Sequence, residues 1–319
     1  MTGTGDPHRV LLLGATGTIG RATAKALLAA GFGVAALVRP GSEAVPGCRM
    51  TEGQVTDPAD VARVMRAVRP GAVVSCLASR TGAAKDAWAV DHAAHSAVLK
   101  AAVAAGVARF VLLSAICVQK PALEFQRAKL AFEAELMAAP LTWSIVRPTA
   151  YFKSLSGQVK RVQEGRSYLV FGDGRLTACK PISDADLGRF LVSCLTSEAR
   201  ANRVLPIGGP GPAITNLDQA AMLERLLGRK VPIRHVPVAL MDGIIGALSL
   251  GGLLSAKLAA KAQLARIGRY YATESMLVWD GDRYSAEATP EFGTDRLEDH
   301  YAAILRGEVG DGRGAHSVF

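Results

Sequence analysis

The chain has 319 residues, half of them apolar and one fifth charged, a composition that excludes disordered, collagen-like and disulfide-stapled chains and allows one large or two unequal domains. Lys and Arg outnumber Asp and Glu by 37 to 28. The cations are spread without an Arg/Lys-rich block or interleaved aromatics, so they point to an anionic small ligand and away from nucleic acid, with a peripheral contact on anionic lipid as the second use of the same charge.

Apolar strand-like runs alternate with helical patterns through the first half. Residues 10–13 read as a first strand, 18–30 as a helix ended by Gly31, and 33–38 as a second buried strand closing in Arg39-Pro40. A helix starts at Pro58 behind Asp57. Residues 72–77 read as the fourth strand, 91–105 as an Ala-rich helix stopped by Gly106, 109–114 as a strand, 124–137 as a helix, and 141–146 as a sixth strand running into Arg147-Pro148-Thr149. This order predicts an α/β fold, a Rossmann-type doubly wound parallel sheet over residues 1–150. Beyond it the pattern is irregular, with a Gly-Asp-Gly turn at 172–174, a capped helix after Ser183, a Gly-Gly-Pro-Gly-Pro loop at 208–212 and a helix over 217–227. Residues 151–306 are expected to form a smaller substrate-binding region interleaved with the core, and 307–319 a flexible tail.

Gly14-Ala15-Thr16-Gly17-Thr18-Ile19-Gly20 follows the first strand and opens the first helix. Without Cβ atoms, Gly14 and Gly17 permit a tight turn and close approach of a pyrophosphate to the free N–H groups of the helix start, and Gly20 lets helix and sheet touch. The backbone of Thr16, Thr18 and Ile19 belongs to the same cradle. The second strand ends in Val38-Arg39 where an NAD-specific site would carry an acid for the ribose, which favours NADPH, with Arg39 on the 2′-phosphate and Arg21 in support.

The glycine spacing, Leu77-Ala78-Ser79 at the end of the fourth strand, and the strand that closes in Ser114 resemble the atypical and extended short-chain dehydrogenase/reductases. That family uses a Tyr-x-x-x-Lys helix; here the segment is Phe125-Gln126-Arg127-Ala128-Lys129. Lys129 is retained to hold the nicotinamide ribose, or it pairs on its own helix with Glu133. The phenol that would protonate a carbonyl oxygen is gone. Either the protein only senses the dinucleotide, or its substrate accepts hydride without forming an alkoxide, as an alkene conjugated to a large π system does.

Residues 124–136, Ile145 to Leu155, and Phe171-Gly172-Asp173-Gly174 through Ser183 are similar to the NADPH-type divinyl chlorophyllide a 8-vinyl reductase family, a resemblance that runs from Val10 to about residue 300. It implies reduction of the 8-vinyl group of a magnesium divinyl chlorin to ethyl, in chlorophyll or bacteriochlorophyll synthesis. The plastid-targeting extension of plant members is not seen, which the resemblance reads as a bacterial, phototrophic source and a cytoplasmic protein, peripheral at photosynthetic membranes. Pro148 and Thr149 would flank the nicotinamide. Tyr151 is favoured as proton donor over Lys153, Cys179 and water, with aromatic packing as its alternative. Phe152, Phe171 and the uncharged run at 243–256 could line a flat pigment slot, and Lys153, Lys180 or Arg175 could meet its propionate. The same run reads equally as a buried helix or as an amphipathic one resting on a membrane.

Five cysteines without a CxxC pair, and His92 and His95 three residues apart without a third ligand, give no protein metal site. The competing readings are an NmrA-like NADPH-sensing regulator and a reductase of another conjugated C=C bond.

Overall fold

The structure, a computed structural model, describes residues 5–310. The chain divides into two compact units, one formed by Met1–Arg80, Ala84–Pro148 and Asp184–Ile207, the other by Thr81–Ala83, Thr149–Ser183 and Gly208–Phe319. Residues 311–319 of the expected tail lie outside the described residues.

The first unit is built on a seven-stranded sheet of β1 (Asp6–Leu13), β2 (Gly33–Val38), β3 (Arg49–Glu52), β4 (Pro70–Ser75), β5 (Arg109–Leu113), β6 (Thr142–Pro148) and β7 (Arg203–Ile207). Their spatial order is β3-β2-β1-β4-β5-β6-β7, and every neighbouring pair is parallel. The central strands are continuous apolar runs because both faces are covered: Leu11 to Leu13, Val73, Val74, Phe110 and Ile145 are all buried. Helices α1 (Thr18–Ala29), α2 (Pro58–Val68), α3 (His95–Ala104), α4 (Glu124–Met137) and α5 (Asp184–Ser193) cross between strands or cover them. Asp57 caps α2 by accepting from the Ala59 N–H, with Pro58 in the first turn.

Two strands carry no sequence signal. β3 is four largely polar residues at the sheet edge, and β7 carries Pro206 in its interior, which its place as the outermost strand allows. Residues 184–207, read from the sequence as part of the second region, return to the first unit: β7 pairs with β6, and α5 packs on α1 so closely that a Cβ on Gly188 would lie 2.9 Å from the Ala22 backbone. The Ala-rich helix begins earlier than its apolar pattern, in a π-helical stretch Trp88–Ala94 that leads into α3.

The second unit holds small ladders, Tyr168–Phe171 with Ile233–Val236 and Ala178–Cys179 with Ile214–Thr215. A Thr215/Asp218 capping box starts the helix Asn216–Leu227. The uncharged run falls on α6 (Val238–Gly252) and the turn into α7 (Ala256–Thr273). No residue of α6 is buried, which overturns the buried-helix reading.

Candidate active site

The turn from β1 into α1 has the shape that its glycines dictate. Gly14 takes φ +71°, and a Cβ there would sit 2.6 Å from the Cys76 carbonyl oxygen at the end of β4. A Cβ on Gly20 would fall 2.0 Å from the Gly14 oxygen, so these two glycines are demanded by the fold. Gly17 differs: its nearest protein atom would be at an ordinary 3.4 Å, and Thr16, Gly17 and Thr18 lie exposed. Gly17 is the α1 N-cap with no side chain to satisfy the first N–H groups, and the first turn carries no acid. That start is left open for an anion, with Ile19 partly covered behind it. The cradle fits a dinucleotide pyrophosphate.

At the end of β2, Arg39 is exposed. Arg21 is held back, its Nη2 2.7 Å from Glu43 and its Nε donating to the Thr16 oxygen at 3.2 Å. Arg39 is therefore the guanidinium left available there, while Arg21 braces the glycine loop.

Lys129 does not pair with Glu133. Its Nζ reaches across to Asp91 Oδ1 at 3.0 Å, and that oxygen also accepts the Ser79 N–H at 3.2 Å. Asp91 stands in the π-helical stretch and is buried, with Oδ2 unpartnered. One turn on, His95 donates from Nδ1 to the Val90 carbonyl and accepts at Nε2 from Ser75 Oγ at 2.7 Å, a tautomer assigned from this network. Ser75 Oγ in turn accepts the Leu77 N–H at 3.3 Å. Burial, with a smaller push from the Lys129 charge, drives the imidazole down to about 4, so it is neutral near pH 7. Two buried side chains on one helical face, Asp91 and His95, thus anchor the Leu77-Ala78-Ser79 edge beside the glycine loop. In the sequence His95 is only one of two histidines without a third ligand, and Asp91 is not singled out.

Glu133 is occupied elsewhere. Buried, it accepts from Ser114 Oγ and from the Arg147 guanidinium. The hydroxyl at the end of β5 is directed to a carboxylate, and Phe125, in the tyrosine position, is buried. Neither position presents an acidic hydroxyl to a substrate oxygen. His92 Nε2 lies 2.7 Å from Glu135 and packs on α4. Pro148 is buried at the end of β6.

In the second unit, Thr149 Oγ1 donates to the Lys180 carbonyl. Tyr151 bridges to Ile182 and precedes the short helix Phe152–Leu155. Phe152 is buried with its ring 5.6 Å from that of His300, and Phe171 is half-buried at a ladder end. Lys153 and Arg175 are exposed. Lys180 is buried, its Nζ 2.6 Å from Glu291, so the cation proposed for a propionate already has a carboxylate. Burial pushes the Cys179 thiol up to about 12.

Residues 14–198 match the NAD(P)H-binding family. With the parallel sheet and the open glycine cradle, this makes the chain a Rossmann-fold protein of the NAD(P)H-binding class. Leucoanthocyanidin reductase from Vitis vinifera, solved with NADPH, has a TM-score of 0.67 at 17% identity over 93% of this chain and 99% of its own, a likeness of fold. Among curated proteins, the chloroplastic divinyl chlorophyllide a 8-vinyl-reductase of Oryza sativa subsp. indica is 46% identical over 97% of this chain and 82% of its own length. That of Cucumis sativus is 46% identical over 97% and 79%. The chain belongs to the divinyl chlorophyllide a 8-vinyl-reductase family.

Proposed function

We propose that the chain reduces the C8-vinyl group of divinyl chlorophyllide a, or of a close precursor, to ethyl with NADPH, in chlorophyll or bacteriochlorophyll synthesis. The observation that carries this reading within the family is that the two usual oxyanion donor positions are spent: Phe125 lacks the phenol and Ser114 is committed to Glu133. A carbonyl reductase needs a donor where charge develops. A vinyl group on a conjugated macrocycle does not, because the ring carries the charge.

NADPH when bound supplies the hydride. The N–H groups of the α1 start receive its pyrophosphate, and Arg39 receives the 2′-phosphate. Lys129, fixed by Asp91, holds the nicotinamide ribose, while Leu77, Ala78 and Ser79 give the edge against which the dinucleotide lies. Pro148 and Thr149 flank the nicotinamide. Catalysis is then mainly positioning. Tyr151 is the proposed proton donor to the inner vinyl carbon, and Phe152, Phe171 and Lys153 the proposed contacts for pigment and propionate. Lys180 contributes there only if its Glu291 pair opens.

The test is to incubate the protein with divinyl chlorophyllide and NADPH and separate the pigments. The reading requires the 8-ethyl product. Binding of NADPH with the pigment unchanged would favour the dinucleotide sensor instead. Tyr151→Phe should slow turnover without weakening NADPH binding, and full turnover would remove Tyr151 from its role.

A further inference from the structure

The cofactor and substrate chemistry leaves an apolar surface unused on α6 and α7. The fifteen residues of α6 include one charge, Asp242, and α7 neutralises it through Arg269. The helices are tied again where Arg266 donates to Ser249 Oγ at 2.8 Å. A helix this apolar is ordinarily covered, yet none of its residues is buried. Leu240, Ile244, Ala247 and Leu250 recur every three or four residues and are exposed. In the turn that follows, Leu253 and Leu254 are 83% and 94% exposed.

Beyond Asp242, which Arg269 neutralises, the charge on this hairpin has one sign. Between Asp242 and Glu274 the chain holds Lys257, Lys261, Arg266 and Arg269 and no carboxylate. Lys257 and Lys261 are exposed within the first turns after the leucine tip. Apolar side chains beside outward lysines match a bilayer boundary, where leucines enter the acyl layer and ammonium groups meet phosphates. A second copy would lay the same cations against each other. Among the described residues no helix is long and apolar enough to cross a membrane, so the contact lies in the plane of the interface.

We propose that the α6–α7 hairpin is a docking surface for an anionic lipid bilayer, with Leu250, Leu253 and Leu254 as the inserting tip and Lys257 and Lys261 as the headgroup contacts. The inference does not depend on which alkene is reduced.

Sedimentation of the full chain, loaded with NADPH, with phosphatidylcholine vesicles with or without phosphatidylglycerol tests it. The protein should pellet with the anionic vesicles, and less at high salt. Lys257→Ala with Lys261→Ala should lower the partition coefficient on them by about tenfold or more. Replacing Leu250, Leu253 and Leu254 by Glu should abolish pelleting while NADPH binding, the readout of intact folding, is retained. Failure of the parent protein to pellet, or equal pelleting of the leucine variant, overturns the proposal. So does a dimer in light scattering that the leucine variant dissociates, because a second copy would then cover the hairpin.

Discussion

The ammonium of Lys129 lies 3.0 Å from Oδ1 of Asp91, thirty-eight positions away in the chain, and both side chains are largely withdrawn from water. The lysine is thereby fixed before any ligand arrives. Hydrogen bonds to charged groups contribute about 1.5–3 kcal/mol, so Asp91→Asn should lower kcat/KM for NADPH roughly 10- to 100-fold. Asp91→Ala should also destabilise the fold, by about 3–5 kcal/mol, because a buried ammonium loses its partner. Steady-state kinetics and urea unfolding check the two effects separately; unchanged kinetics in the Asn variant would detach Asp91 from the cofactor.

The three glycines of the loop should respond differently to alanine. Gly14→Ala and Gly20→Ala place a Cβ against backbone oxygen at 2.6 and 2.0 Å, and each should lower the thermal midpoint strongly or prevent folding. Gly17→Ala meets only an ordinary 3.4 Å contact, so it should fold normally and bind NADPH about tenfold or more weakly, its methyl occupying the pyrophosphate approach. Calorimetry paired with a nucleotide titration distinguishes the cases.

In the proposed site Arg39 would set the choice of dinucleotide. Arg39→Glu replaces a partner for the 2′-phosphate by a repelling charge and offers a carboxylate to a ribose hydroxyl. The ratio of kcat/KM for NADPH over NADH should fall by about two orders of magnitude or invert. Arg21→Ala should alter that ratio far less, because Arg21 is spent on Glu43 and Thr16.

His95 makes stability depend on acid. Burial, assisted by the Lys129 charge, holds its folded value at about 4, below the ordinary 6.5, so the unfolded chain takes up the proton first. Its contribution is intact above pH 6.5 and is lost as the pH falls toward 4, a loss of about 3 kcal/mol. Urea midpoints over this range should fall less steeply for His95→Asn than for the parent protein. Equal slopes would show that the imidazole is not kept neutral by the fold.

Much of the first unit was legible because its signals are local. Apolar runs that must be covered on both faces, Gly14 at positive φ, Asp57-Pro58 at a helix start and residues 124–137 as a helix each follow from neighbours in sequence. β3 and β7 were not, since a short polar strand and a Pro-containing edge strand pair for reasons that lie in the sheet. The site divides the same way. The glycine loop and Arg39 are read from adjacent residues, whereas the hold of Asp91 on Lys129 and Ser79, and of Glu133 on Ser114 and Arg147, depends on how helices turn against β4, β5 and β6. The nearest sequence signal for Asp91 is a lone acid in an Ala-rich helix. The alternative to a ribose contact for Lys129 was a local pair with Glu133, and burial of that glutamate against Ser114 and Arg147 rules it out.

The most direct measurement of the central claim uses NADPH deuterated at the transferable position, incubated with divinyl chlorophyllide and the protein, with mass spectrometry of the recovered pigment. Transfer to the vinyl group predicts a single deuteron in the new ethyl side chain and an equivalent of NADP formed. Pigment that keeps its vinyl group and carries no label, in the presence of bound nucleotide, would contradict the account.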